Sequence, residues 1–400
     1  MAGKINYPED VIKIAQAFRN HGYAAYAVGG CVRDSIMGRV PSDWDMTTDA
    51  TPEQMIEIFT TAGLRFVPTG LKHGTITVII DKKPYECTTF RIDGSYTDSR
   101  RPDKVEFSRD IAEDLCRRDF TVNAMAADPL VSGNDSAIVD LFSGQEDIER
   151  KIIRCVGDPE RRFTEDALRI LRCIRFATVL GFEIEENTLA AAKSLAPRLE
   201  NISAERKSVE LEKILLSDGA ERGVDLLLST GVAKYIHPEI KKNSFEIQGL
   251  PKSFSVRLAS LLLGEGKPQL SSMKLSNEIK DQTSLLASDG LYREYSRQFD
   301  SDESANARYM IAKYGPLAPC AALLRGDDNL ARLIESEMAK HPAVTIAALE
   351  IDGNKLLSLG IEAKKLGKIM TKLLMAVIKD PSANRYETLC GLALEFNKEI

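Results

Sequence analysis

Tyr26-Ala-Val-Gly-Gly-Cys-Val-Arg-Asp34, followed by Pro41-Ser-Asp-Trp-Asp-Met-Thr-Thr48, is the stretch on which the reading of this chain turns. Tyr23 to Val28 predicts a short buried strand, and Gly29-Gly30 then permits a tight turn and close backbone approach. Cys31 to Met37 predicts one or two helical turns, stopped by Gly38. A strand, a glycine turn and a helix start make a cradle for phosphate, to which Arg33 could add a charge-assisted bond. The second segment predicts a strand on which Asp43 and Asp45, two residues apart, project from one face. Crowded carboxylates repel, and a shared proton, basic partners or cations compensate. Magnesium takes oxygen ligands and commonly binds through one or two carboxylates plus substrate phosphates. Taken singly, each motif also fits a plainer reading: Asp-x-Asp in a surface loop, or a strand-to-helix connection with Arg33 and Asp34 as surface charges.

A third carboxylate follows about forty residues on. Thr75 to Ile80 and Lys83 to Phe90 carry β-branched and aromatic residues around a turn-like Asp81-Lys-Lys, which predicts a hairpin beside the acidic strand. Glu86, on its second strand, could complete a three-carboxylate cluster as a metal ligand or as a base toward an attacking hydroxyl. An edge-strand glutamate facing solvent is the competing reading.

Six motifs then occur in order: Tyr26 to Asp34, Asp43-Trp-Asp45, Lys72-His-Gly-Thr-Ile-Thr77, Glu86-Cys-Thr-Thr-Phe-Arg91, Arg117-Arg-Asp-Phe-Thr-Val-Asn-Ala124 and Glu165-Asp-Ala-Leu-Arg-Ile-Leu-Arg172. In this order they resemble the class II tRNA nucleotidyltransferases, and among them the bacterial CCA-adding enzymes, over roughly the first half of the chain. Ile202-Ser-Ala-Glu-Arg206, with Glu210 and Lys213, resembles a further family motif, as does Asp352 to Gly360 near the C-terminus. The resemblance implies a DNA polymerase β-like α/β nucleotidyltransferase head followed by an all-α neck, body and tail. It implies that Asp43 and Asp45 bind Mg2+ while the tRNA 3′-hydroxyl attacks the α-phosphate of CTP or ATP, with Glu86 as the third catalytic carboxylate. Gly30, Arg33 and Arg118 carry over as nucleotide contacts, and Asn123 as a residue that orients the sugar. Taken alone, Arg117-Arg118-Asp119 fits a surface charge cluster equally well, Arg117 above all, and Asp119 could serve only to orient one of the arginines.

Phe163 to Phe176 predicts one amphipathic helix opened by Thr164 as N-cap, with Asp166, Arg169, Arg172 and Arg175 recurring every third residue. A carboxylate accepts from the exocyclic amine of cytosine or adenine, and a guanidinium donates to the acceptor beside it. Uracil and guanine present the opposite pattern. Asp166 with Arg169 would therefore select C and A without a nucleic-acid template, the role the resemblance gives to the matching pair. Polar mismatch discriminates strongly because it leaves buried partners unpaired. A helical Asp/Arg salt pair is the plainer alternative. Arg172 and Arg175 are expected to meet triphosphate or tRNA backbone.

Composition sets the outer bounds. The chain has 400 residues, 44% of them hydrophobic, enough for a sizeable core and two or more domains. Divisions are expected at 1–142 for the head, 143–202 for the neck that recognises the base, 203–335 for the body and 336–400 for a tRNA-binding tail. The chain lacks an apolar leader and a stretch that would span a bilayer, so a cytoplasmic protein with no membrane association is expected. Seven cysteines without Cys-x-x-Cys fit reduced thiols. A net charge of −6 disfavours broad nucleic-acid binding but leaves room for local basic faces at Arg150-Lys151, Arg161-Arg162 and Lys364-Lys365 with Lys368 and Lys372. His21, His73, His237 and His341 have no metal-ligand spacing, which argues against an appended phosphohydrolase domain. Poly(A) polymerase shares the head motifs but often carries a basic C-terminal extension not visible here. The segment Arg91 to Asp103 resembles the loop of CCA- and A-adding enzymes, which disfavours CC-only addition and leaves A-only addition open. A catalytically dead RNA-binding relative would be expected to lack a metal carboxylate, and all three are present.

Overall fold

The computed structural model describes residues 5–93, 105–131, 138–242 and 247–400. The expected loop from Arg91 to Asp103 lies mostly outside them. The chain forms two compact units, Met1–Pro238 and Glu239–Ile400.

The first unit opens with α1 (Glu9–Asn20), β1 (Ala25–Val28), α2 (Gly30–Ile36), β2 (Met46–Thr48), α3 (Pro52–Thr61), β3 (Arg65–Gly70), β4 (Thr75–Ile80) and β5 (Lys83–Thr89). A short ladder, β6 (Arg91–Asp93) with β7 (Val105–Phe107), leads to α4 (Ile111–Cys116), β8 (Met125–Ala127), β9 (Ile138–Asp140) and α5 (Gly144–Arg150). Seven strands make one sheet in the order β3-β4-β5-β2-β1-β8-β9, with β2 and β5 parallel and the other neighbours antiparallel. Asp81 and Lys82 both take positive φ at the β4–β5 turn, as a two-residue hairpin requires. Packing of α1 on α3, with Phe18 edge-on to Phe59 at 5.3 Å, closes an apolar layer. α3 is secured by a capping box between Thr51 and Gln54.

The acidic pair sits one step outside the expected strand. β2 begins at Met46, and Asp43 to Asp45 form an extended lead-in whose last carbonyl accepts from Val28 N at 2.9 Å. The alternation survives: Trp44 and Met46 are buried while Asp43 and Asp45 are exposed. Trp44 packs on Tyr7, ring centroids 5.6 Å apart, which anchors the lead-in from below.

After α5 come β10 (Ile152–Ile153), α6 (Pro159–Glu165), α7 (Leu168–Leu180), β11 (Glu183–Ile184), α8 (Glu186–Leu195), α9 (Ala204–Leu215) and α10 (Ala220–Ser229). The parallel pairing of β10 with β11 is a small departure from an all-helical neck. The larger correction concerns the single helix expected over Phe163 to Phe176. The chain breaks at Asp166, which is extended (φ −142, ψ 103), so that α6 ends and α7 starts within three residues. Thr164 lies inside α6 and caps nothing; Asp158 caps α6, with Pro159 at its first turn. α7 is anchored by burial of Ile170, Leu171 and Ile174. It meets α10 closely, since a Cβ on Gly223 would fall 2.9 Å from Thr178 of α7, and 2.5 Å from Ile214 Cγ2 of α9 on the other side.

The second unit is helical, and one core cluster gathers Leu356, Ile369, Leu373, Val377 and Leu389. Arg308, also buried in this unit, donates to Glu337 and to the carbonyls of Ile378 and Lys379, satisfying the end of helix Leu366–Lys379. On that helix and its approach, Lys364 pairs with Glu362 and Lys372 with Glu399, so part of the expected basic face is internally neutralised. Among the described residues no helix is long and apolar enough to cross a membrane.

Candidate active site

Register brings the first carboxylates together. Met46 pairs with Cys87 across the parallel β2–β5 ladder, which sets Asp45 beside Glu86 on the neighbouring strand and aims both away from the buried Met46 and Cys87. Asp45 is exposed by area but ringed by protein groups, and this loss of hydration, then the charge of Glu86, raises its carboxyl above the ordinary range. Arg118 pulls the other way and Asp43 adds to the rise. Asp43 accepts from Ser42 Oγ at 2.9 Å. The crowded negative charge fits a divalent cation held by two carboxylates and completed by substrate phosphates. The expected three-carboxylate cluster does not close, however. Among the described residues no group of three or more His, Cys, Asp or Glu side chains is placed to hold a metal. Glu86 stands one strand over from Asp45, while Asp43 lies in the lead-in.

Above this face lies α4. Its buried Asp114 accepts from Arg117 at 2.7 Å and from Arg118 at 3.0 Å, and Thr47 Oγ1 of β2 lies 3.4 Å from it. Burial would raise Asp114, but the two guanidiniums hold its carboxyl below the usual range. Arg118 is thereby fixed over Gly29, whose φ of 81 suits glycine and where a Cβ would sit 3.1 Å from Arg118 Nη1. Close approach of the arginine, as much as of a ligand, explains this glycine.

A polar chain links head to helix. Arg33 of α2 donates to Asp34 at 2.9 Å and to Asn123 Oδ1 at 2.5 Å; Asn123 Nδ2 reaches Asp119 at 3.4 Å; Asp119 takes Arg172 Nη2 at 2.5 Å. Burial alone would push Asp119 up, yet the charge and hydrogen bond of Arg172 bring its carboxyl down to about 2. Asp119 raises the Arg172 guanidinium in return. Arg175 pairs with Glu210 at 2.5 Å, and burial lowers its guanidinium against that partner's pull.

Asp166 and Arg169 are not a helical salt pair. Asp166 Oδ1 accepts from Leu168 N, the first amide of α7, at 3.0 Å, while Oδ2 accepts from Arg206 Nη2 of α9 at 2.9 Å. Arg169 donates to Glu165 at 3.0 Å and to the Arg117 carbonyl at 3.0 Å. Glu165 also takes Arg162 at 2.8 Å, which locks the α6–α7 corner. The acceptor and the donor are thus held separately, each with hydrogen-bonding capacity left over.

One cavity of about 530 Å3 collects these groups. Asp43, Asp45, Gly30, Arg33, Arg118, Asn123, Asp166, Arg169, Arg172 and Arg175 all line it; Glu86 does not. Arg117, Asp119, Arg206 and Phe176 line it as well. Arg206 stands in a segment the sequence singled out, but its partner is 40 residues away and no local spacing points to it. Phe176 reads from sequence as one more apolar helix position.

The Poly A polymerase head domain model matches residues 25–154, and the model described as the probable RNA and SrmB-binding site of polymerase A matches 181–243. A CCA-adding enzyme of Leuconostoc mesenteroides is 34% identical over 97% of this chain and 96% of its own. One from Limosilactobacillus fermentum is 35% identical over 94% of each. The crystal structure of the Bacillus stearothermophilus CCA-adding enzyme in complex with CTP superposes with a TM-score of 0.81 at 31% identity, covering 98% of both chains.

Proposed function

The chain belongs to the CCA-adding enzymes, and from that premise we propose how its cleft performs the template-independent addition of C, C and A to the 3′ end of tRNA from CTP and ATP. The family uses divalent metal ions, and the crowded Asp43 and Asp45 are the residues that would hold them here as Mg2+. Bound there, the metal supplies charge neutralisation at the reacting phosphate and its leaving group. Glu86, beside Asp45 in register, adds the third negative charge that favours a dication.

Arg33, Arg118, Arg172 and Arg175 surround the cavity as donors for a triphosphate, each steadied by a paired acid. In-line transfer relies on positioning and charge neutralisation, and these groups supply both. The bond that forms joins the tRNA 3′-oxygen to the α-phosphorus; the bond that breaks releases pyrophosphate. Asn123, which accepts from Arg33 and lines the same cavity, would orient the sugar. Asp166 accepts from the exocyclic amine of C or A, and Arg169 donates to the neighbouring ring nitrogen. The carrying observation is that these two line the same cavity as Asp43 and Asp45 without bonding to each other. Helices from about 143 onward, with the tail over 336–400, would bind the tRNA; of the four lysines in the expected basic face, Lys364 and Lys372 are paired with glutamates, whereas Lys365 and Lys368 have no carboxylate partner among the described ion pairs.

Replacing Asp43 and Asp45 together by asparagine tests the catalytic half. Nucleotide addition should fall below detection while tRNA still binds; persistent addition would remove the pair from the mechanism.

A further inference from the structure

Phe176, on α7, is 7% exposed and faces the cavity. Three guanidiniums surround its ring: Arg175 with its Cζ 3.9 Å from the centroid, Arg172 at 5.3 Å and Arg33 at 5.4 Å. All lie within the ~6 Å over which an aromatic face attracts a cation. Arg33 comes from α2, whereas Arg172 and Arg175 come from α7 itself. Phe120, just before the turn that carries Asn123, meets the ring edge-on at 5.7 Å and 75° and fixes its tilt.

Three cations gathered around one point repel, and two kinds of group can offset that. A carboxylate does so by occupying N–H donors, the same donors a phosphate needs. A ring face does so through its quadrupole and occupies none. In this cleft each arginine has one acid, Asp34, Asp119 or Glu210, and shares the ring. We propose that Phe176 is a positioning residue that holds Arg33, Arg172 and Arg175 together as a polyphosphate clamp while leaving their outer N–H groups unspent. The proposal rests on the reading that these arginines meet the triphosphate.

Inorganic tripolyphosphate, which has the charge of the nucleotide and no base, is the probe. Its inhibition constant and the KM for CTP and ATP are measured in the full chain for Phe176→Leu, Phe176→Tyr and chains carrying increasingly fluorinated phenylalanines at position 176. Fluorination drains the negative ring face at nearly constant shape, so it separates electrostatics from packing even if the leucine variant folds poorly. The expected result is roughly tenfold weaker tripolyphosphate inhibition for leucine and a graded loss with fluorination. Tyrosine should restore most of the affinity, and the preference for CTP over UTP should be unchanged. Equal affinity across the fluorinated series overturns the proposal, as does a tyrosine variant no better than leucine. Arg172→Gln and Arg175→Gln serve as the separate control. If they leave tripolyphosphate inhibition intact, the triphosphate reading itself fails; if they weaken it and the ring series does not, only the role of Phe176 is lost.

Discussion

Asp166 is held by Arg206, which donates to it at 2.9 Å from α9, and not by Arg169 three residues along its own chain. The carboxylate plane is therefore set from two sides, by Arg206 at one oxygen and by the Leu168 amide at the other. Removing the Arg206 donor, as in Arg206→Gln, should loosen that plane. A charge-assisted hydrogen bond of about 1.5–3 kcal/mol is lost, and discrimination against UTP and GTP should fall by roughly tenfold or more. Arg206→Lys should keep part of it. Competition assays with paired nucleotides measure this; unchanged selectivity in both variants would show that Asp166 needs no help from α9.

The Asp119–Arg172 pair predicts acid lability. Asp119 titrates at about 2 in the folded chain and near 3.9 when unfolded. Its folded carboxyl is depressed, so its contribution is complete above pH ~4 and is lost as pH falls toward 2. That contribution is about 2–3 kcal/mol. Chemical denaturation across this window should show the loss in the native chain and a smaller one in Asp119→Asn, which should itself be destabilised at neutral pH because Arg172 is left without its carboxylate.

Gly29 predicts a coupled defect. Alanine there meets a positive φ and places a Cβ 3.1 Å from Arg118 Nη1. Strain of about 1–3 kcal/mol should lower thermal stability, and displacement of Arg118 should raise the KM for both CTP and ATP. A stability loss with normal KM would confine the glycine to a backbone role.

Glu86 does not line the cavity yet adds to the negative field on Asp45. Glu86→Gln should therefore raise the Mg2+ concentration needed for half-maximal activity, with the largest rate loss at low metal. A uniform loss at every metal concentration would point instead to direct contact with the reacting atoms.

Much of the head could be read along the chain because its cues are local. Alternation exposed Asp43 and Asp45 on one face even though the strand proper starts at Met46, and Gly29-Gly30 with Gly38 marked the turn and the stop of α2. The break at Asp166 could not be read so. Phe163 to Phe176 keeps helical period with no Pro or Gly, and the extended backbone at Asp166 is accompanied by contacts from far along the chain. The Asp158-Pro159 start of α6 was a usable local signal for the true helix boundary. Partners of the arginines were hidden for the same reason: Arg172 reaches back 53 residues to Asp119, and Arg175 forward 35 to Glu210.

The most direct test offers labelled CTP, ATP, UTP and GTP to tRNAs ending before, within and one residue short of CCA, with the native chain and with Asp166→Ala. The native chain should complete all three additions and reject UTP and GTP, while Asp166→Ala should still transfer nucleotides with degraded base choice. Addition of A alone would contradict full CCA addition, and an Asp166→Ala chain that slows equally with every nucleotide and keeps its selectivity would contradict the assignment of base choice to Asp166.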